Sequence, residues 1–60
     1  MNNMDELRAA SEEIENAANK LTIAASYLND AIPGNDICIE VKMALAEMKI
    51  LALKVEEYVI

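Results

Sequence analysis

From Asp36 to Ile60 the chain runs without a proline or a glycine and carries two apolar series at helical spacing, where an ordinary surface helix carries one. The first series is Ile37, Val41, Ala44, Met48, Leu51, Val55 and Tyr58; the second is Ile39, Met43, Ala46, Ile50, Leu53 and Ile60. Steps of three and four keep each series on one side of a helix, and at about 100° per residue the two sides are nearly opposite. A helix with two apolar sides requires two sets of partners. The first half of the chain can cover one side. Within these 60 residues little is left to cover the other, and the expected cover is a second copy or a different protein.

The first half reads as one helix. Leu7, Ile14, Leu21 and Leu28 recur every seven residues, with the small residues Ser11, Ala18 and Ala25 between them and Ala10, Ala17 and Ala24 alongside. Small residues let a neighbouring helix approach closely, and large ones fill the layers between. Asn3 followed by Glu6 has the form of a capping box, which starts this helix near Met4. The only proline and only glycine stand together in Ile32-Pro33-Gly34-Asn35-Asp36, so the chain turns there and Asn35 or Asp36 caps the second helix. The expected fold is all-α: one domain, 1–60, built as an antiparallel two-helix hairpin with helix 1 over about 4–31, a turn at 32–35 and helix 2 over about 36–59. The expected register sets Ile32 against Ile37, Leu28 against Val41, Ala25 against Ala44, Leu21 against Met48, Ala18 against Leu51, Ile14 against Val55 and Ser11 against Tyr58. Cys38, Leu45, Ala52 and Val59 widen this seam. These alternating small and large layers resemble those of the Rop-type proteins, antiparallel hairpins that dimerise into four-helix bundles. The resemblance implies a dimeric four-helix bundle here.

Size and composition also favour assembly. A domain this small buries only about 60% of its unfolded surface and needs staples or oligomerisation. With one cysteine, Cys38, there is no intrachain disulfide, and with no histidine the common zinc sites are out of reach. The net charge is −6: residues 1–34 have six acids against Arg8 and Lys20, and residues 35–60 have five against three lysines. So acidic a chain is poorly suited to neutralise phosphates, which argues against direct nucleic-acid binding and against anionic membrane surfaces. The first residues lack the basic start and apolar core of a secretory signal, and no run approaches the roughly 20 apolar residues that span a bilayer. The expected compartment is the cytoplasm.

Catalytic chemistry finds few of its usual parts. Nucleophilic catalysis lacks a histidine base, a single glycine cannot build a phosphate loop, and Cys38 reads as a small apolar core residue rather than a reactive thiol. Glu12 and Glu15 form an E-x-x-E that resembles half of the metal motif of all-α nucleoside triphosphate pyrophosphohydrolases, and no E-x-x-D comes after it to complete the motif. The chain is therefore expected to be no enzyme and to use no metal or cofactor. The expected function is that of a small acidic homo-oligomeric regulatory module, a dimer, which binds a protein partner by helix packing; Ile39, Met43, Ala46, Ile50, Leu53 and Ile60 are the expected oligomer or partner interface, and the expected dimer joins helix 2 of the two copies antiparallel about Met48. A secondary patch is expected at Ile23 and Tyr27, four residues apart and off the main stripe. The alternative is an acidic decoy, in which Glu12, Glu13 and Glu15 mimic nucleic-acid phosphates and occupy a nucleic-acid-binding protein.

Overall fold

A computed structural model describes residues 3–59, which form two helices, α1 (Asn3–Ala31) and α2 (Asp36–Glu56), packed against each other as a helical hairpin with no strand among the described residues. Asn3 already lies within α1, so it does not take the non-helical capping position expected of it. The hairpin measures 45 × 15 × 11 Å, and its radius of gyration of 14.1 Å exceeds the value of about 10 Å for a compact chain of this length. It is a single layer of two helices, and a stable domain ordinarily has two layers.

The turn is built by its own residues. The Asn35 N–H donates to the Ile32 carbonyl at 3.1 Å, with Pro33 and Gly34 at the two central positions and Gly34 at φ +76°. This is type II turn chemistry: proline pre-sets the first central φ, and glycine takes the positive one without a Cβ penalty. Asn35, in extended backbone, then caps α2 by accepting the Ile37 N–H on its side-chain oxygen at 2.9 Å.

On α1 the shielded positions keep to the expected stripe, from Leu7 and Ser11 to Leu28 and Ile32, with Ser11 and Ala18 the deepest. On α2 the seam is rotated from the expected one. Val41, Ala44, Met48 and Val55 are shielded as expected, but they are flanked by Cys38, Leu45, Ala52 and Val59, while Ile37, Leu51 and Tyr58 stand exposed. Taken outward from the turn, the shielded positions run Ile32, Leu28, Ala25, Leu21, Ala18, Ile14 and Ser11 on α1 and Cys38, Val41, the adjacent pair Ala44 and Leu45, Met48, Ala52, Val55 and Val59 on α2, so that Ala25 lies beside both Ala44 and Leu45. The Cys38 thiol lies 3.4 Å from the Ile32 carbonyl oxygen, which fixes the first of these layers. The partner of Ser11 is Glu56, not Tyr58. The reason is steric: small residues let helices pack closely, and Ala18 and Ala52, 5% and 4% exposed, are among the most shielded residues of the seam. Larger side chains are left to the flanks.

α2 ends at Glu56, before the expected limit near residue 59. The Tyr58 and Val59 N–H groups bond three residues back, to Val55 and Glu56, at 3.1 and 2.9 Å. Glu56 and Glu57 place two negative charges at the negative end of the helix dipole, which disfavours further helix.

Candidate interaction surface

A helix in a two-helix hairpin shields one side only, and on α2 the far side is the second apolar series. Ile39, Met43, Ala46, Ile50 and Leu53 are all exposed, with Ile50 at 52% and Leu53 at 62%. Ile60, assigned to the same series, lies outside the described residues. Charged rows border this side: exposed Lys42, Lys49 and Glu56 run along one margin, and exposed Glu40, Glu47 and Lys54 along the other. A shallow groove lined by Glu47, Ile50, Leu51 and Lys54 crosses the second margin. Ile23 and Tyr27 are exposed on α1, one turn apart and off its seam.

The hairpin has a further apolar side. Ala10, Ala17, Ala24 and Ala31 each precede a seam residue of α1, namely Ser11, Ala18, Ala25 and Ile32, and all four alanines are exposed. Ile37, Ala44, Leu51 and Tyr58 stand in the same relation to Cys38, Leu45, Ala52 and Val59 on α2. In an antiparallel pair, residues with the same offset from the seam emerge on the same side. Alanines of α1 and large side chains of α2 therefore form one broad face. The opposite offset brings polar residues together on the other broad face, and a groove there is lined by Arg8, Glu12 and Glu15 of α1 together with Glu56. The sequence carried a signal for the apolar face in the shared seven-residue spacing of the two rows. What hid it was the assignment of Ile37, Leu51 and Tyr58 to the core.

The polar side offers little chemistry. The Ser11 hydroxyl donates to Glu56 Oε1 at 3.1 Å, and the Thr22 hydroxyl to the Ala18 carbonyl at 2.9 Å. Among the described residues no group of three or more His, Cys, Asp or Glu converges as a metal site would require, so Glu12 and Glu15 stand without a third carboxylate in ligand geometry. Cys38 is buried in the first turn of α2. Among the described residues no helix is long and apolar enough to cross a membrane.

Compared with known proteins, the chain matches no protein-family model, no curated protein and no solved structure. Fold and surface together define its class: an all-α helical hairpin with two separate apolar sides open to solvent.

Proposed function

We propose that this chain is a small, acidic, cytoplasmic interaction module without enzymatic activity, which assembles into a dimeric four-helix bundle and regulates a protein partner by helix packing. The observation that carries this reading is the exposed series Ile39, Met43, Ile50 and Leu53 on the side of α2 turned away from α1. Such a stripe is what an amphipathic partner helix docks against, with anchors at three- and four-residue steps. Methionine within it suits an adaptable surface. The oligomer has separate support. Among the described residues the buried apolar side chains are only Ala18, Cys38 and Ala52, a thin core for a free-standing domain.

The decoy reading gains no support from a particular observation, because Glu12, Glu13 and Glu15 fan around α1 at about 100° per residue instead of lining one face.

The test is equilibrium sedimentation and thermal unfolding of the full chain over a hundredfold concentration range, then cross-linking in host extract with wild type and Ile50→Glu. A melting temperature that rises with concentration, and a discrete cross-linked partner lost in Ile50→Glu at unchanged helicity, is the expected result. A monomer whose melting is independent of concentration, with the same cross-links for both chains, overturns the reading.

A further inference from the structure

Resting on the homo-oligomeric part of that reading, we infer that the second copy docks not on the far side of α2 but on the broad face made by the α1 alanines and the α2 residues Ile37, Leu51 and Tyr58, with both turns at the same end of the bundle.

The open surface is large enough for such a cover. The hairpin exposes 4728 Å², whereas a compact folded chain of 6.6 kDa exposes about 3,900 Å². The excess, roughly 800 Å², is about what one partner contributes to an interface of standard size.

Shape selects the orientation. Because Ala18 lies abreast of Ala52 and Ile32 abreast of Cys38, and the helices run in opposite directions, the residues that precede them are staggered by only about 3 Å along the axis, less than one helical turn: Ala17 near Leu51, and Ala31 near Ile37. A two-fold axis running along the helices, in the plane of the face, lays α1 of one copy over α2 of the other at the same level. Leu51 then packs on Ala17 of the second copy, Ile37 on Ala31 and Tyr58 on Ala10, each large side chain over a methyl group. An axis running across the helices lays α1 on α1 instead. Alanine then meets alanine, and a void opens beside the thick α2 contact.

Charge selects the same orientation. The outer margin of the face carries Glu13, Lys20 and Tyr27 on α1, and Glu40, Glu47 and Lys54 on α2, all exposed. These residues precede the facing pairs Ile14 and Val55, Leu21 and Met48, and Leu28 and Val41, which staggers each of them from its counterpart by about 3 Å along the axis, within reach of long charged side chains. With the axis along the helices, Lys20 therefore meets Glu47 of the second copy, Glu13 meets Lys54, and the Tyr27 hydroxyl meets the Glu40 carboxylate, each contact occurring twice by symmetry. The crosswise axis brings Lys20 near Lys20 and Glu47 near Glu47. Pairing two copies through the far side of α2, antiparallel about Met48, sets Lys42 against Glu56 and Glu40 against Lys54 but also Lys49 against Lys49 and Glu47 against Glu47. Only the first arrangement has attractive pairs throughout, and it leaves Ile39, Met43, Ile50 and Leu53 open for a different protein.

The test uses the full chain and reads mass, helicity and dimer dissociation constant. Leu51→Glu, at a position half exposed in the hairpin, is expected to give a helical monomer at micromolar concentration, while Ile50→Glu stays dimeric. Lys20→Glu is expected to weaken the dimer about tenfold, and Lys20→Glu combined with Glu47→Lys to restore it. Spin labels at Asp36→Cys of the two copies, in a Cys38→Ala background, are expected to lie close together. A dimer that survives Leu51→Glu, is split by Ile50→Glu, or shows no rescue in the charge swap overturns this docking while leaving the oligomer intact. A wild-type chain that stays monomeric overturns the oligomer itself.

Discussion

The Ser11 hydroxyl donates a 3.1 Å hydrogen bond to Glu56 Oε1 across the open end of the hairpin, joining the one buried polar residue among those described to a carboxylate on the other helix. The bond is asymmetric in what its loss costs. Ser11→Ala returns an exposed carboxylate to water and is expected to change stability by less than about 1 kcal/mol. Glu56→Ala strands a buried hydroxyl and is expected to cost about 1–2 kcal/mol. Urea midpoints of the two variants check the order, and equal losses would refute it.

Ala18 and Ala52 are buried between the two helices, so a larger side chain there must push the axes apart. Ala52→Leu is expected to destabilise by about 1–3 kcal/mol although it adds apolar area. For a chain whose whole stability is about 3–9 kcal/mol, that is a large share. Chemical denaturation beside Leu51→Ala, one residue away at an exposed position, separates the two sites: at concentrations where the chain is monomeric, the second change is expected to be the milder.

Met48 faces α1 opposite Leu21, and both are partly shielded rather than fully buried. Met48→Ala and Leu21→Ala are each expected to cost about 2 kcal/mol, at the lower end of the large-to-small range because the seam is open at its edges. Unchanged midpoints in both variants would show that the layer assignment is wrong.

A Cβ built on Gly34 meets nothing within 4 Å, yet its φ of +76° is one that L side chains rarely adopt. Gly34→Ala is therefore expected to cost about 1 kcal/mol from backbone strain alone. Gly34→Asn should cost less, since asparagine tolerates that region. Comparing the two by thermal melting reads the backbone effect, because the Cβ common to both meets nothing within 4 Å.

Asn35→Ala removes the acceptor for the Ile37 N–H and is expected to cost about 1 kcal/mol, while Asn35→Asp should keep most of it. Amide exchange in the first turn of α2 reads the loss locally: it should quicken at Ile37 ahead of the helix centre.

The sequence by itself determined the two helices, the turn and the stripe that α1 buries. Each of these rests on local chemistry or on a period: Pro33 and Gly34 force a reversal, Asn35 offers a cap, and the seven-residue recurrence from Leu7 to Leu28 survives in any helical packing. The exposed row through Ile39, Met43, Ile50 and Leu53 was legible for the same reason, because a helix cannot turn opposite sides to one neighbour. What the sequence left open was which row beside Val41, Met48 and Val55 faces α1. Size favoured Ile37, Leu51 and Tyr58 for that place, but they lie 74% exposed at Tyr58 and about half exposed at the other two, while Cys38 and Ala52 fill the seam. The choice depends on the distance between helix axes, and that distance is a property of both helices at once. Ala52 facing Ala18 permits the close approach, and Ile37, Leu51 and Tyr58 are displaced to a shared flank. Only the antiparallel tertiary arrangement puts that flank on the same side as Ala10, Ala17, Ala24 and Ala31, because whether two rows emerge together depends on the relative direction of the two helices, which neither row encodes alone.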